Sequence, residues 1–161
     1  MVFIVTIVLC LVFWLICYLG TGSDEKNIKS ISSYPDAIQE LVKKDPVLGP
    51  KVKTSKTSAV FVSNLVLFTI ILAICGYFVR TDSWIHNFVY IFGMGILLNL
   101  FDYFVMDLMW WRHSKRIRFS SIHADPKLYL DSTKHKESFI RAFPMFLVAS
   151  FIASLILMLT M

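Results

Sequence analysis

Charge is nearly absent from the longest stretches of this chain, and the residues that build compact motifs are few. Its three cysteines, Cys10, Cys17 and Cys75, each sit inside an apolar run with no CxxC spacing. A disulfide scaffold or zinc ribbon is therefore excluded, and the thiols read as small buried hydrophobes. Six glycines form no phosphate-cradling loop, and neither GxSxG nor HExxH occurs, which removes the usual nucleotide-binding, serine-hydrolase and zinc-protease signatures. His113, His123 and His135 lie ten and twelve residues apart and match no compact ligand pattern. No catalytic residue, metal or cofactor is expected, and a membrane enzyme using Asp102, Asp107 and the loop histidines as acids and bases is the weakest functional reading.

What is present is apolar. Of 161 residues, 57% are hydrophobic, and the mean hydropathy is +0.66. A soluble fold of this size has too little interior to hide so much. The apolar residues are also gathered into four blocks, about 2–19, 59–79, 84–111 and 139–161, with nearly all the charge between them. At a rise of ~1.5 Å per residue, even an 18-residue block spans ~27 Å of hydrocarbon. The expected architecture is thus all-α and integral to a membrane: one membrane domain over 1–161, with four transmembrane helices joined by long loops 20–58 and 112–138. The first block is expected to be retained rather than cleaved, because no cation precedes it and no small-x-small site follows it.

Orientation follows from the cations. Seven of the sixteen Lys and Arg residues fall in 20–58, eight in 112–141, and only Arg80 in the turn between the second and third blocks. Cytoplasmic loops carry such an excess, so both termini are expected outside a cell membrane and both long loops in the cytoplasm. Topology also accounts for the net charge of +5 without a nucleic-acid partner. Trp84 and the Trp110, Trp111 pair fall at the ends of the third block, where amphipathic rings favour the headgroup level.

The first loop contains one helical signature, over 35–44: Ser33 near the cap, Pro35 in the first turn, Asp36 and Glu40 early, and Lys43 and Lys44 late. Ile38, Leu41 and Val42 form a narrow apolar stripe, so this short cytoplasmic amphipathic helix is expected at the membrane surface or against the bundle, with partner docking the lesser alternative. The second loop opens on Arg112, Lys115, Arg116 and Arg118. Such cations determine topology, and near a surface they attract anionic lipid headgroups by ~1 kcal/mol each.

Polar residues within the third block are the most informative. Asn99, Asp102 and Asp107 interrupt an apolar run, and a carboxylate deep in a bilayer costs several kcal/mol unless it faces a partner, the bundle or water. In an α-helix Asn99 and Asp102 share a face, whereas Asp107 is turned ~140° from Asp102 and lies close enough to the interface to reach headgroups or Arg141. Ser63 and Asn64 of the second block are expected to join the cluster from the neighbouring helix. Taken together, Asn64, Asn99, Asp102 and Asp107 form the candidate intramembrane polar site. A hydrogen-bonded network that only fixes helix packing explains the same residues without any activity. Small residues Ala149, Ser150, Ala153 and Ser154 on the fourth helix, with Gly93 and Gly95 on the third, permit close helix approach within one chain or between copies.

The stretch NLFDYFVMDLMWW from Asn99 to Trp111, the following KRIR, and KHKESFIRAF leading into the last block together resemble a family of small, largely uncharacterised bacterial four-helix membrane proteins. Some members are labelled ABC transporter permeases. The resemblance covers the C-terminal half, and it departs where family members carry a Pro-Gly-Thr-Glu-like segment and this chain reads FSSI at Phe119 to Ile122. It implies a multi-pass, transport-related protein, although neither loop shows the Glu-Ala-Ala and Gly pattern through which permeases couple to their ATPases. Two functions are expected to compete. One is an accessory subunit or oligomeric carrier using Asn99 and Asp102. The other is a structural or regulatory protein whose basic loops dock a partner or anionic lipid.

Overall fold

The computed structural model of the chain describes residues 1–53 and 56–160, and among these it is helical with no strand. The helices are α1 (Val2–Leu19), α2 (Asp24–Asn27), α3 (Asp36–Lys44), α4 (Thr57–Tyr77), α5 (Trp84–Phe101) and α6 (Thr133–Leu159). A π-helical segment, Asp102–Trp111, prolongs α5 without a break. Four helices are long and apolar enough to cross a membrane: α1, α4, α5 with its π-helical extension, and α6. Phe3, Ile7, Val66, Ile74, Ile140 and Leu147 are all exposed along them. An apolar surface of that extent is compatible with a lipid surrounding.

Two boundaries differ from expectation for local reasons. Helix α4 runs over 57–77 rather than 59–79. Helix α6 begins six residues before the apolar block, because Asp131 accepts hydrogen bonds from the Thr133 amide at 2.9 Å and the Thr133 hydroxyl at 2.6 Å. That carboxylate supplies the partner a helix start needs, so winding begins within a charged segment that hydropathy alone assigns to a loop.

The chain divides into two compact units. The first comprises residues 1–12, 55–101 and 139–161. Here small residues pack among large ones: Ala149, Ser150, Ala153 and Ser154 are fully buried, as are Leu72, Ile91 and Met94. A Cβ added at Gly95 would lie 2.9 Å from Cδ1 of Phe146, and one at Gly76 would lie 2.8 Å from both Ile91 and Leu157. Gly93 has open space around it, so it does not share the packing role expected of both glycines. The α4–α5 turn is tied by Asn87, whose side chain accepts from the Thr81 amide at 2.7 Å and donates to the Thr81 carbonyl at 2.8 Å.

The second unit comprises residues 13–54 and 102–138, bringing both long loops together. Its core is Ile28, Ile31, Tyr34, Ile38, Val42 and Leu48 from the first loop with Ile117, Phe119 and Tyr129 from the second. The stripe on α3 expected to meet a membrane surface or the bundle is instead buried here, with Ile38 and Val42 fully covered. Tyr34 is inaccessible to solvent and donates its hydroxyl to the Ile117 carbonyl at 2.7 Å. Burial, reinforced by neighbouring Tyr129 and Asp24, pushes the Tyr34 phenol above its ordinary range, so it remains a donor.

Arg116 ties this unit to the end of α1. Its guanidinium donates to the carbonyls of Tyr18 (3.1 Å) and Thr21 (3.0 Å) and lies 4.0 Å from the centre of the Tyr18 ring. Close approach explains Gly22, which has φ of +106° and leaves a Cβ only 2.6 Å from that guanidinium. At the edge of the unit, Asp24 accepts from the Ser120 amide and hydroxyl, each at 2.8 Å, and from the Ser121 amide at 3.2 Å. Burial pushes the Asp24 carboxyl upward, but these hydrogen bonds to the charged form prevail and hold it below the usual carboxylate range.

Candidate functional site

The π-helical winding of 102–111 changes the geometry expected of its two carboxylates. In an α-helix, residues five apart point ~140° away from one another, whereas π-helical hydrogen bonds join i to i+5 and bring such residues toward one face. Asp102 and Asp107 are such a pair, and each lies within electrostatic reach of the other. The expectation that Asp107 faces away from Asp102 is thereby corrected. Its partner is also different: Asp107 pairs with His135 rather than with Arg141.

His135 lies in the first turn of α6 and is 5% exposed. Its Nδ1 stands 2.8 Å from Oδ1 of Asp107, which is 15% exposed. The contact suits a hydrogen bond donated by Nδ1 to that oxygen. The opposite ring nitrogen, Nε2, is buried and has no hydrogen-bond partner among the described residues. The Trp111 ring stands edge-on to His135 with centroids 5.9 Å apart, and its buried indole N–H likewise has no partner among the described residues. Trp111 in turn meets Tyr34 edge-on at 5.3 Å, which joins the pair to the aromatic core of the second unit. Asp102 and Asp131 act electrostatically on the same imidazole, and Asp102 and Asp107 on the Cys17 thiol.

The remaining candidates occupy other surroundings. Asn99, in the first unit, is buried and donates Nδ2 to the Phe139 carbonyl at 3.2 Å, a bond that joins α5 to α6. Asn64, on α4, is exposed, as is Ser63. Among the four loop cations, Lys115 is the most exposed, Arg112 and Arg118 are partly covered, and Arg116 holds the end of α1. Lys134 pairs with Asp36 at 3.1 Å on the surface.

His135 is the residue that hydropathy reasoning set aside as a loop histidine. The signal that could have found it is the run Asp131, Ser132, Thr133, three residues of helix-capping type separated from it only by Lys134. Starting the helix there puts His135 in its first turn instead of in a connection.

Among the described residues, no group of three or more His, Cys, Asp or Glu side chains is arranged to hold a metal ion. No family model, curated protein or solved structure matches this chain. What the pair offers chemically is a buried imidazole of fixed tautomer, with one free nitrogen and carboxylates close by. Such a group can take up and release a single charge.

Proposed function

We propose that this chain is a four-span membrane protein with both termini outside and both long loops in the cytoplasm. In this reading it serves transport as an accessory subunit or oligomeric carrier, and Asp102, Asp107 and His135 form its charge-handling site. The supporting observation is the Asp107–His135 contact of 2.8 Å, buried at the end of a helix long enough to cross a bilayer. Ionisable residues are costly in such helices and mark pathways for ions or protons when they occur. Fifteen of sixteen cations lying in or beside the two long loops support the orientation. Four helices are few for a carrier, so a second copy or a membrane partner completes the pathway.

The test is flux across liposomes containing the purified chain, beginning with dissipation of an imposed pH gradient. Asp102→Asn is expected to lower the rate by about tenfold or more, equivalent to ~1.4 kcal/mol at the barrier, while insertion and yield are unchanged. A wild-type rate equal to that of empty liposomes, or an unaltered rate in the variant, contradicts the proposal.

One observation favours the alternative of a docking or lipid-reading protein. The second unit has an open cavity of about 450 Å³ lined by Ser23, Glu25, Lys26, Ile28, Lys29 and Lys51. Three lysines there suit an anionic headgroup. Co-sedimentation with vesicles containing anionic lipid, set against neutral vesicles, separates the two readings. Loss of capture on neutralising these lysines supports the alternative.

A further inference from the structure

Charge handling leaves open which species is bound. We propose that it is the proton, taken up at Nε2 of His135, with Asp107 acting as a positioning residue that fixes the ring as its Nδ1–H tautomer. This inference deepens the transport reading by naming its coupled species, and it rests on that reading for its purpose.

The donor set selects the ligand. Oδ1 of Asp107 is already engaged by the imidazole, and the buried atom without a partner is a nitrogen lone pair. Hard cations such as sodium, magnesium or calcium take oxygen ligands, so a lone imidazole nitrogen suits them poorly. Soft transition metals need several ligands, and no cluster of three or more His, Cys, Asp or Glu is present among the described residues. A proton needs only one lone pair. Imidazole is also the side chain whose ordinary range places its charge change between about pH 5 and 8.

The surroundings can accommodate the charge that results. From the π-helical segment, Asp107 makes direct contact and Asp102 acts through space. Asp131, in turn influenced by Arg112, faces the ring from the chain preceding α6. On its own helix stand Lys134, Lys136 and Glu137, with Lys134 paired to Asp36 of α3 and to Glu137. The imidazolium formed at His135 therefore has the Asp107 carboxyl in direct contact rather than being stranded in an apolar site.

The step balances simply. A hydronium O–H bond breaks, an Nε2–H bond forms, and water leaves, while Asp107 retains its hydrogen bond from Nδ1 throughout. Release reverses the step. The indole N–H of Trp111, buried and unpartnered beside the ring, suits the oxygen of the water that delivers the proton.

The experiment is nitrogen NMR on the full-length chain in lipid nanodiscs with ¹⁵N-labelled histidine. His86, His113 and His123 are all exposed and can be replaced, so that His135 alone reports. In alkaline buffer His135 is expected to show one protonated nitrogen, Nδ1, and one bare nitrogen, Nε2, with Nε2 becoming protonated as the pH falls. In Asp107→Asn the amide can donate to the ring as well as accept, so the single tautomer should give way to a mixture or to the opposite form. A wild-type ring carrying its proton on Nε2 in alkaline buffer, or one whose Nε2 never takes up a proton as the buffer is acidified, overturns the inference. The wild-type spectrum alone decides this even if the variant fails to fold. Proton uptake at Nε2 without liposome flux would sink the transport reading and leave the proton site standing, whereas flux with a fixed ring would do the reverse.

Discussion

The two units of this chain are built on different physical principles. In the unit of residues 1–12, 55–101 and 139–161, many large apolar side chains point outward, and inside it Gly76, Gly95, Ala149, Ser150, Ala153 and Ser154 pack among buried Leu72, Ile91, Met94, Leu98 and Phe146. In the unit of residues 13–54 and 102–138 the core joins Tyr34, Ile38, Phe119 and Tyr129 from two distant loops, and exposed lysines lie in the same loops. Between helices in lipid the hydrophobic drive would be lost, which suits contacts made by close approach of small residues. In water, burial of large side chains supplies that drive. A substitution suited to one kind of contact should damage the other.

The largest expected effect is in the water-type core. Ile38 is fully buried with nothing polar to replace its contacts, so Ile38→Ala should cost roughly 2–5 kcal/mol. Hydrogen exchange in nanodiscs should show protection lost across 28–48 and 115–129 together, since both segments share the core. Protection lost only within α3 would mean that the two loops fold independently. Next in size is the reverse substitution in the small-residue core. Gly95→Val should cost roughly 1–3 kcal/mol through overpacking against Phe146, and Phe146→Ala should restore part of the loss in a double-mutant cycle read by thermal unfolding in detergent. Additive costs for the two changes would contradict the contact.

The smallest effect concerns Asp24, whose carboxyl is held below the usual range by Ser120 and Ser121. A depressed folded value means that its contribution is present above the unfolded value of about 3.9 and is lost as the pH falls through the lower folded value. Exchange protection of the Ser120 and Ser121 amides should therefore hold at neutral pH and fade in acid, and Asp24→Asn should abolish that dependence. Surface pairs of this kind are worth less than ~1 kcal/mol, so global stability should barely move.

These differences also explain what the sequence could reveal. An unbroken apolar run announces a helix, so α1 is legible at both ends, and capping and charge signals place α3 within one residue of its start. The second core was not legible, since Ile117, Phe119 and Tyr129 lie in a basic stretch without helical period, and their burial depends on a loop some ninety residues away. Nor was the pairing of Asp107. Reading Asp107 and Asp102 as far apart assumed α-helical winding, and nothing in DYFVMDLMWW marks the change to π-helix. His135 was lost through the helix start, because hydropathy begins α6 at its apolar residues while Asp131 begins it six positions earlier. Chemistry-bearing residues were visible as residue types; their partners depended on local winding and capping that composition does not carry.

Both loops can share one core only if they lie on the same side of the membrane. With the three native cysteines replaced, single cysteines at Lys44, Lys115 and Arg80, all exposed positions, can be labelled by a membrane-impermeant maleimide in sealed cells and again after permeabilisation. The account predicts that Lys44→Cys and Lys115→Cys react only after permeabilisation and Arg80→Cys reacts in sealed cells. Labelling of positions 44 and 115 from opposite sides would contradict it.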